Sequence, residues 1–163
     1  MNRIVALVLA LVCTAPALSA PPPALQAAIV QWAAPRTVER FQFSLVDLNA
    51  DRIAEAVVHV TDPALCGNGG CPLLIFRGTA TGFEHIANSG FVRKPIYVLQ
   101  EAGNNWKTLA AVAGFGNAAG LVPIRFKSQI QGYRRTPVMN PHLELTAAMT
   151  ERTLEFEEVE NAP

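Results

Sequence analysis

The chain has 163 residues, with 13 lysine or arginine residues against 13 aspartate or glutamate residues. This balance excludes the overall basic field that a nucleic-acid binder carries, so nucleic acid is not an expected partner. The 144 residues from position 20 onward suit one domain with a single hydrophobic core.

The N-terminal segment has the three parts of a secretory signal peptide. Arg3 precedes an apolar run over residues 4–12, and small residues and prolines follow it. The pattern predicts a signal peptide over residues 1–19, cleaved before Ala20, and a periplasmic or secreted mature protein. The apolar run is too short to cross a bilayer, so no membrane span is expected in the mature chain.

The three cysteines are interpreted in the light of this export. Cys66 and Cys71 stand in "CGNGGC" and stay in the mature chain, in a compartment that oxidises thiols. The glycines between them free the backbone to bring the sulfurs together, so we predict a disulfide that shapes a hairpin tip. Cys13 leaves an alternative open, an acylated lipoprotein cysteine, although Val12 stands where a small residue is expected.

Periodicity predicts one helix followed by a series of strands. Residues 24–34 contain helix formers with apolar side chains at helical spacing, and the helix should end before Pro35. From Val38 the period changes to two, and strand signals follow in "VERFQFSLVD", "EAVVHVT", "PLLIFRG", "GFEHIAN", "PIYVLQE", "WKTLAAVAG", "LVPIRFK" and "QGYRRT". No helix-length segment separates these strands, so antiparallel hairpins are expected.

The predicted fold class is α+β, an antiparallel β-rich single domain with an N-terminal helix and a second helix near the C-terminus. The β-rich domain is expected over residues 20–140. Asn140 and Pro141 suit a helix start, so residues 141–163 are predicted to form an acidic C-terminal helix or, alternatively, a loose acidic tail. The core is expected to contain Trp32, Phe41, Phe43, Val57, Leu74, Phe76, Ile96, Val98, Leu109, Val112, Ile124 and Phe126.

Charge is uneven in the second half of the chain. Arg125, Lys127, Arg134 and Arg135 lie close together, whereas five glutamates lie between positions 151 and 160. The basic residues form a candidate interaction surface for a protein of the cell envelope. The sequence leaves open whether the acidic tail folds onto this surface or whether both await partners, and it does not indicate the oligomeric state.

The stretch "DLNADRIAE" is a candidate calcium loop between two predicted strands. Loops that wrap calcium take side-chain oxygens from positions 1, 3 and 5, a carbonyl from position 7, and a carboxylate or water at position 9. The stretch resembles the D-x-N-x-D-G-x-x-[DE] loops of FG-GAP-type sites. The predicted metal ligands are Asp47, Asn49, Asp51, Ile53 and Glu55.

Two features of this stretch depart from calcium loops. Arg52 stands where they carry glycine, at a position that commonly has positive φ, and Val58 cannot supply an EF-hand's final carboxylate. Any affinity should therefore be weak, roughly 0.1 to 1 mM. The alternative is an Asx-rich polar turn that needs no ion, in which Arg52 neutralises a carboxylate.

The order of these motifs resembles that of a family of uncharacterised exported bacterial proteins. The shared elements span residues 47–137 and are D-x-N-x-D-x-x-x-E-A-V-V, C-G-x-G-G-C, "PIYVL", "NNWKTLAAV", "RF" and "YRRTP". This resemblance implies no activity. At the level of class, the chain is similar to periplasmic lysozyme inhibitors and immunity proteins in size, export and β-rich character. "SGFVR", residues 89–93, begins like the S-G-x-x-Y loop of some lysozyme inhibitors, with Arg93 in place of the tyrosine.

The predicted disulfide, the compact β-rich pattern and the lack of a catalytic constellation favour a non-enzymatic periplasmic interaction module, an inhibitor or immunity protein, stabilised by the disulfide and, where the loop binds it, by calcium. The alternative is a hydrolase of cell-envelope polymers that uses Glu55, Glu84 or Glu101 as acid and base. The spacing of these carboxylates does not pair them. His59 and His85 are expected to be solvated strand residues, so no catalytic residue is predicted and the sequence favours a binding protein over an enzyme.

Overall fold

The structure is a computed structural model that describes residues 20–116, 119–135, 145–160 and 162. The predicted signal peptide, residues 1–19, lies outside the described residues. The described part contains one α-helix and nine strands: α1 (Pro23–Ala33), β1 (Arg40–Val46), β2 (Glu55–Val60), β3 (Cys71–Thr79), β4 (Gly82–Gly103), β5 (Trp106–Ala113), β6 (Gly120–Lys127), β7 (Gly132–Arg135), β8 (Thr150–Thr153) and β9 (Glu157–Glu160). None of its helices is long and apolar enough to span a membrane.

The N-terminal helix is confirmed. It begins at Pro23, where the missing N–H group of proline costs nothing because the first helical N–H groups have no partner within the helix. It ends at Ala33, shortly before Pro35, which cannot continue a helix. Leu25, Ile29 and Ala33 are buried and face the sheet.

The strands form one antiparallel sheet in the order β7-β6-β5-β4-β3-β2-β1-β9, with β8 paired to β4. β4 has 22 residues and unites the predicted strands "GFEHIAN" and "PIYVLQE". Its first half pairs with β3, and its second half pairs with β5 and β8. The predicted α+β class is therefore wrong, because the described chain is mostly antiparallel sheet and has a single short helix.

The predicted C-terminal helix is wrong for the part of this region that the structure describes. β8 pairs with β4 and β9 pairs with β1, while Leu154 between them is buried and donates its N–H to the carbonyl of Ile96 at 2.9 Å. Extended pairing with two strands far away in the chain outweighs the weak helical pattern. Residues 141–144 lie outside the described residues. The acidic segment is divided: β9 lies at the opposite end of the strand order from the basic β6 and β7, whereas β8 pairs with the central β4, where Glu151 forms an ion pair with Lys107 of β5.

Two hydrophobic clusters lie on opposite faces of β1, β2 and β3. The helix cluster packs α1 against one face and contains Leu25, Ile29, Ala33, Val38, Phe41, Phe43, Ala56, Val58, Val60, Leu74 and Phe76. The inner cluster fills the other face and contains Val46, Leu48, Val57, Leu73, Ile75, Ala87, Val92, Ile96, Val98, Trp106, Leu109, Ala111, Ala113, Val122, Ile124, Phe126, Tyr133 and Leu154. β2 is buried along its whole length because it is covered on both faces.

Most of the predicted core is confirmed. Ten of the twelve predicted core residues are buried, and the other two, Trp32 and Val112, are half-buried. Trp32 lies at the edge of the helix cluster, where it contacts His85.

Candidate functional site

The loop between β1 and β2 closes on its own backbone. Asp47 Oδ1 accepts the N–H of Ala50 at 2.7 Å, and Asp47 Oδ2 accepts the N–H of Arg52 at 3.0 Å. Asp51 repeats the pattern, because its Oδ1 accepts the N–H of Ile53 at 2.7 Å. Asn49 Oδ1 accepts the N–H of Asp51 at 2.9 Å. These bonds form a series of Asx turns that fix the loop without an ion.

Glu55 is the buried member of the loop. Its side chain is fully inaccessible, and Oε2 accepts the N–H of Leu48 at 2.8 Å. Burial raises the pKa of the Glu55 carboxyl to about 7, the carboxylates of Asp51 and Asp47 add to the rise, and the N–H of Leu48 opposes it. A buried carboxylate in this environment is stabilised by a nearby positive charge or by binding a proton.

The amide of Asn49 lies between two carboxylates. Its Nδ2 donates to Asp51 Oδ2 at 2.8 Å and to Glu55 Oε1 at 3.4 Å. The amide thus occupies the space that a cation bridging Asp51 and Glu55 would take. In the described part of the chain no three His, Cys, Asp or Glu side chains are close enough to hold a metal ion. Calcium at this loop therefore stays a prediction, and it requires Asn49 to turn its amide oxygen toward the carboxylates.

The backbone of the loop does match that of a glycine-containing loop at one position. Arg52 has φ of 71°, in the left-handed region, at the position where FG-GAP-type calcium loops carry glycine. Ala50 is also left-handed, with φ of 62°. Among the described residues the guanidinium of Arg52 forms no ion pair, and the residue contributes its backbone N–H to Asp47 instead. The predicted role of Arg52 as counter-ion is wrong.

The predicted disulfide joins Cys66 to Cys71. Between the cysteines, Gly67 and Gly70 exchange two backbone hydrogen bonds of 2.8 and 2.9 Å, so Asn68 and Gly69 form the tip of a hairpin. Gly70 has φ of 112°, and a side chain there would collide with the carbonyl of Val92 on β4. The hairpin can therefore lie flat against β4 only with glycine at this position.

The predicted basic surface is divided between two faces of the sheet. Arg125 and Arg134 are directly opposite each other on β6 and β7, and Lys127 lies on the same face as Arg125. Arg125 forms a bidentate ion pair with Glu101, with hydrogen bonds of 2.9 and 3.0 Å. This pair offsets the repulsion between Arg125 and Arg134. Arg135 belongs to the other face, because its Nη1 donates to the carbonyl of Phe91 on β4 at 3.2 Å.

A second surface, which the sequence reading missed, surrounds Phe91. We call Phe91, Arg93, Phe115 and Arg135 the aromatic–arginine surface. The side chain of Phe91 is 46% exposed and that of Phe115 is 69% exposed. Arg93 Nη1 donates to the carbonyl of Gly114, next to Phe115, at 2.9 Å. Its Nη2 donates to the carbonyl of Asn68 at the hairpin tip. One guanidinium thus connects the disulfide hairpin, β4 and the turn after β5.

The charge pattern of the sequence contains the signal that would have pointed to this surface. Residues 63–143 contain eight lysine or arginine residues and only two acidic residues, Glu84 and Glu101. Glu84 lies 3.9 Å from Arg77, and Glu101 pairs with Arg125. Among the described residues, neither Arg93 nor Arg135 has a carboxylate partner.

The carboxylates and histidines considered for catalysis have separate structural roles. Glu101 is held by Arg125, whose hydrogen bond lowers the pKa of the Glu101 carboxyl. His59 is buried, contrary to the prediction that it is solvated, and its Nε2 lies 3.1 Å from the carbonyl of Val92. Burial lowers the pKa of His59. His85 is packed edge-on against Phe76.

Comparisons with protein-family models, with curated proteins and with solved structures gave no match.

Proposed function

We propose that this chain is a non-enzymatic, exported interaction module of the bacterial cell envelope that binds a partner protein, in the manner of an inhibitor or immunity protein. The observation that carries the proposal is the aromatic–arginine surface. Two phenylalanines are exposed there beside guanidinium groups that no carboxylate of the described chain neutralises. Aromatic and arginine side chains of this kind are enriched at the centres of protein interfaces.

The environments of the three candidate carboxylates argue against the hydrolase alternative. A pair of acid and base carboxylates has to face one substrate across a few ångströms. The hydrogen bond from Arg125 lowers the pKa of the Glu101 carboxyl and holds it in the charged form, and Glu84 lies beside Arg77 at the surface. Glu55 has a pKa of about 7, suited to a general acid, but it is fully buried.

Calcium enters the proposal as a structural ion of the loop. The spacing of Asp47, Asn49 and Asp51 supports it, as does the buried carboxyl of Glu55 beside two further carboxylates. The loop already closes through Asx turns, so calcium adds stability to a formed structure. We expect weak binding, roughly 0.1 to 1 mM, because Asn49 has to turn its amide first.

The test of the calcium site is a thermal-stability titration of the mature protein. We expect millimolar calcium to raise the melting temperature above its value in chelator, and the double variant Asp47→Ala, Asp51→Ala to lose the rise. Magnesium at the same concentration is the matched control and should have a smaller effect, because it requires a tighter octahedral site. An unchanged melting temperature at several millimolar calcium would remove the ion from the proposal.

The test of the binding function uses the oxidised mature protein as bait in a cell-envelope extract, together with an assay of peptidoglycan hydrolysis. We expect one protein to be retained in stoichiometric amount and no hydrolysis. The variants Glu55→Ala, Glu84→Ala and Glu101→Ala provide the comparison. Hydrolysis by the native chain that one of these substitutions abolishes would establish the enzyme alternative instead.

A further inference from the structure

We infer that the aromatic–arginine surface binds an acidic region of its partner protein, with Phe91 and Phe115 entering apolar pockets and Arg135 facing carboxylates. This inference rests on the proposed function, and it adds the location of the site and the chemistry of the partner.

The exposure of the two phenylalanines is the first argument. Phe91 lies on β4 and Phe115 in the turn after β5, and neither belongs to the helix cluster or the inner cluster. Burial against a partner removes their apolar surface from water, which is the main favourable contribution to association. Arg93, two residues after Phe91, donates to the carbonyl of Gly114 beside Phe115, so the two rings lie on neighbouring segments.

The rigidity of the surface is the second argument. The disulfide closes the hairpin, and Arg93 joins the hairpin tip at Asn68 to Gly114 in the turn after β5. Arg135 adds a bond to the backbone carbonyl of Phe91 itself. Because these groups are already ordered, little conformational entropy is lost when a partner binds.

The charge of the surface defines the chemistry of the partner. The guanidinium groups of Arg93 and Arg135 donate only to backbone carbonyls among the described residues, so their positive charge is not neutralised. A complementary partner therefore presents carboxylates around the apolar pockets.

A protein fits these observations better than an anionic membrane. Attraction to anionic lipid depends on clusters of several basic residues beside an amphipathic or membrane-spanning helix. Here the basic groups are few and their positions are fixed by hydrogen bonds, and the two rings lie on different segments of the chain, Phe91 on β4 and Phe115 in the turn after β5. Fixed and separated anchors suit a surface of complementary shape.

Selection of peptides from a random phage-displayed library against the oxidised mature protein tests this chemistry without a known partner. We expect enrichment of peptides that place aspartate or glutamate beside aromatic or aliphatic residues. A synthetic copy of the most enriched peptide is then titrated against variants. Phe91→Ala and Arg135→Ala should each weaken its Kd by about 10-fold or more, as expected for central interface residues.

Matched variants separate this site from general effects of charge and hydrophobicity. Arg152→Ala removes one exposed positive charge on β8, and Ile130→Ala removes an exposed apolar side chain in the turn between β6 and β7. Both should change Kd less than about 2-fold, as for groups outside an interface. Phe115→Ala provides a second anchor variant if Phe91→Ala alters folding, which circular dichroism reports.

Each other outcome overturns the inference in a recognisable way. Peptides whose binding is insensitive to Phe91→Ala, Phe115→Ala and Arg135→Ala would place the site elsewhere and leave the proposed function standing. Enriched peptides without acidic residues would refute the partner chemistry. Binding to phosphatidylglycerol vesicles that the same variants abolish would assign the surface to a membrane. A failure of the proposed function itself appears separately, as hydrolysis of peptidoglycan or as an extract that contains no stoichiometric protein partner.

Discussion

Arg52 has a left-handed backbone although it carries a full side chain. Its φ is 71°, and an L-residue in this region is destabilised by roughly 1 to 2 kcal/mol. Glycine removes this strain but loses more entropy on folding, about 0.5 to 1 kcal/mol. We therefore predict that Arg52→Gly raises the free energy of unfolding by about 0.5 to 1 kcal/mol, measured by urea denaturation.

Exposed residues with ordinary backbone angles provide the control for this substitution. Arg36 is exposed and does not have positive φ. Arg36→Gly should lower the free energy of unfolding, because it brings the entropic cost without any relief of strain. An equal decrease in the free energy of unfolding of Arg52→Gly and Arg36→Gly would show that Arg52 is not strained in the loop.

Glu55 should make stability depend on pH in the absence of calcium. Its pKa is raised from 4.5 to about 7 on folding, so the folded state binds more protons than the unfolded state between these values. The stabilisation is complete below pH 4.5 and is lost as the pH rises through 7, by up to roughly 3 kcal/mol. Glu55→Gln carries no charge, so in chelator it should become more stable than the native chain as the pH rises from 5 to 8.

The measurement is urea denaturation of the native chain and of Glu55→Gln at pH 5, 6, 7 and 8. Glu84→Gln is the matched control, since the Glu84 side chain is 63% exposed. It should follow the pH dependence of the native chain. If Glu55→Gln also follows it, the Glu55 carboxyl ionises in the folded state as it does in water.

The spacing of residues indicated the loop, but it did not indicate that the Glu55 side chain is buried or that its pKa is raised. The positions of Asp47, Asn49, Asp51 and Glu55 in the chain are enough to suggest a calcium loop. Leu48, whose N–H bonds the Glu55 carboxylate, is held by a distant contact, in which Lys107 at the start of β5 donates its N–H to the carbonyl of Leu48 at 2.6 Å. No local pattern contains this contact, so the raised pKa of Glu55 could not be predicted.

At the scale of elements, the disulfide hairpin contributes modestly to stability. The closed loop between Cys66 and Cys71 is short, so the chain-entropy model gives about 2 kcal/mol. We predict that the double variant Cys66→Ser, Cys71→Ser folds and loses about this amount in urea denaturation. A reductant should affect the native chain and leave the double variant unchanged. A double variant that no longer unfolds cooperatively would show that the hairpin is essential to the sheet.

The strands were predictable where alternation determines burial, and the C-terminal elements were not. β1 alternates buried phenylalanines with partly exposed polar residues, as a strand with one buried face should. β8 and β9 have mostly exposed side chains, and their extended form depends on pairing with β4 and β1. Pairing between strands far apart in the chain leaves no periodicity in the shorter partner, so a local reading favoured a helix there.

At the scale of the whole molecule, the two clusters share strands. Phe41 of β1 packs in the helix cluster, while Val46 of the same strand packs in the inner cluster. On β2, Val57 packs in the inner cluster and Val58 packs in the helix cluster. Loss of either cluster exposes one face of strands that the other cluster needs, so the described chain should unfold as one cooperative unit.

The two tryptophans can test this cooperativity, because each reports on one cluster. Trp32 packs against the helix cluster, and Trp106 belongs to the inner cluster, where it stacks on Phe126 with ring centroids 4.3 Å apart. With excitation selective for tryptophan, only Trp106 fluoresces in Trp32→Phe and only Trp32 fluoresces in Trp106→Phe. Within each variant we predict that the urea transition followed by fluorescence coincides with the transition followed by circular dichroism. An earlier fluorescence transition in Trp106→Phe would mean that α1 separates from the sheet before the strands unfold.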